Sequence, residues 1–323
     1  MTFAVRYAAF LKRFLKVTKP ISVIFDCSDG TVGLVLQPLF NKQKNIKPKL
    51  LNSRPDGNFP AHGPNPWAKG AMNQLSRAMQ RARANLGVIF DADGDRVFFV
   101  DDQGRTLLAD HAAIAMAANF KGSMLIDVRM GYALREWLTA HRRKIVESRV
   151  GHYFIKKTMR AKKIPFAAEL SGHYYFKDFF YADSGIFAAI QMINFVSQLT
   201  TNNPSISLRA GIQLTTLSRW IDSLSKYHNS GEINFEVKDK EGMMKKIESR
   251  FKKRATKISK LDGLRMEFGK NGSPSTGSGH HAGAWWFLVR PSNTEDVLRL
   301  VLEAKSESVY RARLKQVKAM IAG

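Results

Sequence analysis

Residues 20–40 read PISVIFDCSDGTVGLVLQPLF, an apolar run followed by a polar segment with glycine and then a second apolar run. This order is typical of a buried β-strand, a tight turn and an α-helix, the opening of an α/β unit. Residues 121–142, KGSMLIDVRMGYALREWLTAHR, repeat the order later in the chain. The repetition predicts two successive α/β domains with mixed sheets between helices.

The last part of the chain has a different pattern. Residues 284–304, AWWFLVRPSNTEDVLRLVLEA, indicate a strand, a loop and a second strand, with a helix after them. A smaller α+β C-terminal domain is therefore expected after the two α/β domains. The predicted segments are an amphipathic N-terminal helix at 1–18, an α/β domain at 19–115, a second α/β domain at 116–225 and the α+β domain at 226–323.

Composition limits the class of protein. The chain has 323 residues and is 44% apolar, which is enough for several buried cores. Its single cysteine, Cys27, excludes an internal disulfide framework and favours a reducing compartment, so the cytoplasm is the expected location. Charged residues interrupt the first twenty residues, and no later apolar run is long enough to span a bilayer, so no membrane span is expected.

The formal net charge of +24 would attract phosphates, nucleic acid or an acidic surface. The basic residues are spread along the chain, and the sequence has no zinc-knuckle spacing and no basic tract interleaved with aromatic residues. Anionic small molecules are therefore favoured over nucleic acid as ligands. A basic scaffold that binds polyanions remains an alternative.

Three aspartates follow an apolar run in residues 88–102, VIFDADGDRVFFVDD. Asp91, Asp93 and Asp95 alternate, so in an extended loop their carboxylates would point to one side and share a hard cation. An EF-hand begins in the same way, but it requires glycine at its sixth position and glutamate at its twelfth. Arg96 and Asp102 occupy these positions, which excludes the calcium loop. Mg²⁺ fits best, because it prefers oxygen ligands and leaves positions open for a phosphate.

A second polar group lies in residues 166–185, FAAELSGHYYFKDFFYADSG. Glu169, Ser171 and His173 alternate after an apolar run, and a carboxylate, a hydroxyl and an imidazole together suit a polyol such as a sugar. A third group lies in residues 289–296, VRPSNTED. There Arg290 offers a planar fork, and the hydroxyls and backbone N–H groups after it would complete a phosphate cradle, although an ordinary exposed turn explains the pattern equally well.

In this order, DADGDR, ELSGH and RPSNTE resemble the magnesium, sugar and phosphate loops of the α-D-phosphohexomutases, the phosphomannomutases and phosphoglucomutases. Residues 55–66 (PDGNFPAHGPNP), 148–152 (SRVGH) and 230–237 (SGEINFEV) add to the similarity. The resemblance implies metal ligation by Asp91, Asp93 and Asp95; catalytic roles for Arg96 and His173; and substrate contacts from His152, Glu169, Ser171, Arg290, Ser292, Asn293 and Thr294.

The family implies an isomerase that moves a phosphoryl group between the 1- and 6-positions of a hexose phosphate, such as mannose or glucose phosphate, with Mg²⁺ and an enzyme phosphoserine. The chain resembles the family's domains two to four without its first, phosphoserine domain, since the sequence contains no Ser-His-Asn string. Smaller departures are Ala92, Ala167 and Ala168 for glycines and Asp296 for proline.

Two readings follow from the missing serine motif. The chain could be an active mutase whose serine domain comes from a separate chain or has been lost from this sequence. A separate chain would dock on the apolar face of the N-terminal helix. The chain could instead be an inactive homologue that binds or senses sugar phosphates.

Overall fold

The computed structural model describes residues 2–17, 19–199, 215–224, 226–269, 283–292 and 295–322. The α-helices are α1 (Phe3–Lys12), α2 (Gly33–Phe40), α3 (Met72–Ala82), α4 (Ala109–Ala117), α5 (Tyr132–Ala140), α6 (His152–Lys162), α7 (Gly185–Leu199), α8 (Leu217–Ser223), α9 (Lys240–Phe251) and α10 (Glu307–Ala322). Short 3₁₀ helices occupy Lys177–Phe179 and Lys252–Arg254.

The strands alternate with these helices in the first part of the chain and cluster near its end. They are β1 (Ile21–Asp26), β2 (Ile46–Leu51), β3 (Leu86–Phe90), β4 (Val97–Val100), β5 (Met124–Asp127), β6 (Ile145–Ser148), β7 (Phe166–Ala168), β8 (Tyr174–Phe176), β9 (Ala182–Asp183), β10 (His228–Asn229), β11 (Ile233–Glu236), β12 (Lys257–Ser259), β13 (Leu264–Phe268), β14 (Trp285–Pro291) and β15 (Val297–Ala304). The expected fold class, α/β with mixed sheets followed by an α+β part, is confirmed.

Contacts divide the chain into two compact units. The first contains Met1–Leu125 and Lys156–Leu224, and the second contains Ile126–Ile155 and Ser225–Gly323. This division does not follow the four segments predicted from the sequence, whose boundaries stay a prediction.

The first unit is built on a mixed sheet in the order β2-β1-β3-β4. The first three strands are parallel, and β4 runs antiparallel to β3. Helix α3 covers one face through Leu75 and Met79, which are buried against Ile89 and Phe98. Strands β7, β8 and β9, which also belong to this unit, pair antiparallel to one another. The strand, turn and helix predicted for residues 20–40 are therefore β1 and α2.

The second unit contains an antiparallel sheet in the order β10-β15-β14-β13-β12, with β11 also paired to β15. Its core lies between this sheet and helices α9 and α10, and it includes Phe251, Phe287 and Val317. The alternating strand and helix predicted after residue 230 are β11 and α9.

Helix α1 packs against its own unit. Leu11 is fully buried, and the rings of Phe10 and Phe14 lie 5.9 Å from Phe180 and 4.7 Å from Phe187, centroid to centroid. The backbone N–H of Lys16 donates to Asn194 at 2.8 Å. The apolar face that the sequence suggested for docking a separate chain thus packs in part against its own unit, while Phe3 at the start of the helix is exposed. None of the described helices is both long enough and apolar enough to cross a membrane.

Candidate active site

The aspartate loop, residues 91–96, connects β3 to β4 as a tight turn. The backbone N–H of Asp91 donates to the carbonyl of Arg96 at 3.3 Å, and Gly94 adopts φ +77° in the left-handed region. An extended loop was expected here, but β4 returns antiparallel to β3, which forces the chain to turn. The turn still brings together Asp91, Asp93 and Asp95, each with a carboxylate oxygen within 4.8 Å of the others.

Asp91 is the buried member of the three, with 1% of its surface exposed. One of its oxygens accepts the Nε–H of Arg96 at 2.5 Å, and the other accepts the backbone N–H groups of Gly94 and Arg96, each at 3.1 Å. Burial raises the pKa of the Asp91 carboxyl, while the bonds from Arg96 oppose the shift. The loop therefore fixes both a carboxylate and a guanidinium beside it.

The turn between β1 and α2 packs against the aspartate loop and hydrogen-bonds to its backbone. The hydroxyl of Ser28 donates to the carbonyl of Phe90 at 2.5 Å, and Thr31 N–H donates to the carbonyl of Ala92 at 3.1 Å. A Cβ placed on Gly30 would lie 2.1 Å from that carbonyl oxygen. Ala92 itself stays outside the left-handed region, so the alanine found in place of the family's glycine is not strained.

The Glu169 loop, residues 169–173, joins β7 to β8. Glu169 N–H donates to the carbonyl of His173 at 3.0 Å, and Gly172 N–H donates back to the carbonyl of Glu169 at 3.2 Å. Gly172 has φ +88°, and a Cβ there would lie 2.5 Å from the ring of Phe98. Only glycine satisfies both conditions, which explains the glycine between Ser171 and His173.

The three predicted side chains of this loop lie together. His173 Nδ1 is 3.0 Å from the hydroxyl of Ser171 and 3.5 Å from Glu169 Oε2. Tyr175, which the sequence analysis did not single out, donates its hydroxyl to the same Glu169 oxygen at 2.6 Å. Glu169 is 2% exposed, so its carboxylate is held in one orientation by these partners.

A single backbone bridge joins the aspartate loop to the Glu169 loop. Arg96 and His173 form an antiparallel β-bridge, and Val97 N–H donates to the carbonyl of Gly172 at 3.1 Å. The side chains meet as well, since His173 Nε2 lies 3.4 Å from Asp95 Oδ1. The hydrogen bond from His173 lowers the pKa of the Asp95 carboxyl, although burial opposes it. The candidate metal ligands and the candidate sugar contacts are therefore one continuous structure.

The aspartate loop fits a hard divalent cation on the chemistry of its donors. All three candidate ligands are carboxylates, and the nearest fixed cation, Arg96, compensates only part of their charge. Asp93 is exposed and Asp95 is partly exposed, so an ion could reach them from solvent. The structure thus contains a candidate acidic metal site.

The remaining predicted residues belong to the second unit. Arg290 lies on β14 opposite Arg299 on β15, and Ser292 follows at the end of β14. Its hydroxyl accepts from Arg299 Nη2 at 3.3 Å. Asn293 and Thr294 lie outside the described residues. His152 is the first residue of α6.

Glu232 is a residue of this region that sequence reasoning missed. Its carboxylate accepts from Arg290 at 3.2 Å and from Arg299 at 3.0 Å, and it lies 3.5 Å from Arg129. Among the described residues, the buried Nε atoms of Arg290 and Arg299 have no hydrogen-bond partner. Three guanidinium groups thus converge on one carboxylate at the predicted phosphate cradle. Two features of the sequence could have indicated this cluster. Pairing residues 285–291 with 297–304 as a hairpin places Arg299 opposite Arg290, and the stretch SGEINFEV contains Glu232.

Comparison with known proteins matches three consecutive parts of the chain to domains of one family. Residues 6–104 match phosphoglucomutase/phosphomannomutase alpha/beta/alpha domain II, residues 102–213 match domain III, and residues 232–323 match the C-terminal domain of that family. The phosphomannomutase of Methanocaldococcus jannaschii is 34% identical over 97% of this chain and 64% of its own length. The phosphomannomutase of Vibrio cholerae is 29% identical over 89% of this chain and 58% of its own. The chain thus spans less than two thirds of these relatives.

Solved structures share the fold. A phosphoglucomutase/phosphomannomutase family protein from Burkholderia thailandensis has a TM-score of 0.79 and 24% identity, covering 98% of this chain and 63% of that one. The N-acetylphosphoglucosamine mutase of Aspergillus fumigatus, solved in complex with GlcNAc-6P and magnesium, has a TM-score of 0.65 and 15% identity, covering 99% and 65%. With the domain matches along nearly its whole length, the chain belongs to the phosphoglucomutase/phosphomannomutase family.

Proposed function

We propose that this chain carries the metal, sugar and phosphate sites of a phosphohexomutase that moves a phosphoryl group between the 1- and 6-positions of a hexose phosphate. The observation that carries the proposal is the backbone bridge between Arg96 and His173, which lies between a carboxylate cluster and a group of side chains suited to sugar hydroxyls. A cation site next to hydroxyl-binding groups suits phosphoryl transfer to and from a sugar.

In this proposal Asp91, Asp93 and Asp95 hold Mg²⁺, which would neutralise charge on the transferring phosphate. The Nε–H of Arg96 is taken by Asp91, so its guanidinium is fixed in direction and presents its other donors to a phosphate oxygen. His173, held between Ser171 and Asp95, is placed to hold or pass a proton at the sugar hydroxyl that gains or loses the phosphate.

Glu169 and Ser171 bind sugar hydroxyls, with Tyr175 keeping the Glu169 carboxylate in place. His152 lines the sugar pocket. Because either phosphorylated end must react, few contacts are expected, and they go to hydroxyls that both orientations present. Arg290 and Ser292, with Asn293 and Thr294, hold the phosphate that is not reacting. Mannose and glucose phosphates are the proposed substrates.

The proposed reaction also needs a phosphoserine, and the sequence has no Ser-His-Asn string. We propose that the serine comes from a domain outside these 323 residues, for example on a separate chain. The same observation favours a second candidate, a homologue that binds sugar phosphates without turnover. The single buried thiol of Cys27 agrees with the cytoplasm as the proposed location.

An assay of mannose 1-phosphate conversion to mannose 6-phosphate, with glucose 1-phosphate in parallel, tests the first candidate. The chain is measured alone and with the separately expressed serine domain of a related phosphomannomutase. Turnover only in the mixture supports a mutase completed in trans. Calorimetric binding of mannose 6-phosphate without turnover in either sample supports the second candidate, and no binding at all rejects both.

A further inference from the structure

A groove of about 800 Å³ lies in the first unit between α3 and the end of the edge strand β2. Lys49 lines it from β2, and Arg77 and Arg81 line it from α3. The aspartate loop and the Glu169 loop contribute no residue to its described lining. We propose that this groove is a second binding site, which takes a phosphorylated small molecule.

The charge of the groove is unbalanced. Lys49, Arg77 and Arg81 are exposed, and within the described part of the chain none of them makes an ion pair or a side-chain hydrogen bond. The described lining contains no carboxylate. Helix geometry explains Arg81 in part, since a cation in the last turn is favourable there, but it does not explain Arg77 one turn earlier. Three uncompensated cations around one concavity favour an anion.

The groove also has a fixed polar wall. Asn52 donates to Gln74 on α3 at 2.9 Å and to the buried carboxylate of Asp26 at 2.9 Å. His62 contacts the second oxygen of Asp26 at 3.1 Å. Asn52 adopts φ +49°, a conformation that asparagine tolerates better than most residues. This network holds amide and imidazole groups in place at the groove without any ligand, which lowers the cost of ordering them on binding.

The spacing of the cations indicates the ligand. Arg77 and Arg81 are four residues apart on one helix face, so they are neighbours separated by about 6 Å along the axis. Because arginine side chains are long, the guanidinium groups of these two neighbours can converge on two linked phosphate groups, and Lys49 lines the same groove from the strand. Among the described lining residues no Phe, Tyr or Trp is present to stack a base, which disfavours single-stranded nucleic acid. Inorganic pyrophosphate is the simplest probe of the expected class.

The test compares pyrophosphate binding to the wild-type chain, to Arg77→Gln/Arg81→Gln and to Lys315→Gln/Lys318→Gln. The last pair is exposed on α10 and removes the same charge far along the chain from the groove residues. Calorimetry at physiological salt gives affinity, and hydrogen exchange with and without pyrophosphate locates the site. We expect the α3 variant to bind about tenfold more weakly or worse, the α10 variant to bind as wild type, and α3 to gain protection.

Equal weakening in both variants would show a general charge effect and overturn the proposal. So would unchanged binding in the α3 variant, or the absence of protection in α3. A short single-stranded oligonucleotide is measured in parallel, and tighter binding of the oligonucleotide that depends on Arg77 and Arg81 would assign the groove to nucleic acid instead. None of these measurements depends on mutase activity, so the groove proposal and the proposed function are tested independently.

Discussion

The carboxylate of Glu232 lies 3.2 Å from Nη2 of Arg290, the arginine predicted to grip a substrate phosphate. Arg290 is 7% exposed at its side chain and Glu232 is 23% exposed. A guanidinium this deeply buried needs a partner, since an unpaired buried charge is costly. Glu232 therefore compensates the charge of Arg290 and orients its guanidinium at the cradle.

Glu232→Ala should destabilise the chain by about 2 kcal/mol, because Arg290 and Arg299 lose a charged acceptor together. Glu232→Gln should cost less, since its amide oxygen still accepts. Urea unfolding measures both, with Glu236→Ala as the control, since Glu236 is exposed at the end of β11, the strand that directly follows Glu232. An effect of Glu232→Ala no larger than that of the control would show that the pair contributes little.

Gly30→Ala should disturb the aspartate loop without touching a ligand. The new methyl group would lie 2.1 Å from the carbonyl oxygen of Ala92, and backbone must shift to relieve it. We expect weaker Mn²⁺ or Mg²⁺ binding by calorimetry and a stability loss of about 1–3 kcal/mol. Gly57→Ala is the matched control, because its methyl group meets nothing within 4 Å. Unchanged metal affinity in Gly30→Ala would show that the β1–α2 turn does not influence metal binding by the aspartate loop.

Asp93→Asn should weaken divalent cation binding about tenfold or more while leaving stability nearly unchanged, since Asp93 is exposed. Asp178→Asn, also exposed and outside the loop, should leave the affinity as it is. Calorimetric titration with Mg²⁺ after EDTA treatment compares the two. Equal affinities would mean that the ion, if bound, does not use Asp93.

The His62–Asp26 pair should make stability depend on pH. The hydrogen bond to Asp26 raises the pKa of His62 above its ordinary value, although burial opposes the shift. The folded state then binds the proton more tightly than the unfolded state, so the contribution is complete below about pH 6.5 and is lost as pH rises through the raised pKa. Free energies of unfolding of wild type and His62→Gln should therefore converge as pH increases above 6.5. A constant difference across that range would contradict this.

The sequence predicted those features of the fold and the site that depend on the pattern of neighbouring residues. The β1–α2 opening followed from apolar runs around a glycine turn, and the three aspartates were singled out by spacing alone. Interactions between distant residues could not be found in this way. Tyr175 contacts Glu169 because β8 is paired with β7, and Arg299 faces Arg290 because of hairpin register. The tight turn at residues 91–96 was missed because β4 reads as a buried strand whichever direction it runs.

The bridge between Arg96 and His173 also bears on how this site can change. Main-chain bonds set the spacing of the two loops, so side-chain exchanges such as those at Ala92, Ala167 and Ala168 leave that spacing intact. A one-residue insertion in either loop would instead displace this bridge and the side chains beside it. Side chains that do not hold the turns can thus be exchanged more readily than the length of either loop can be changed.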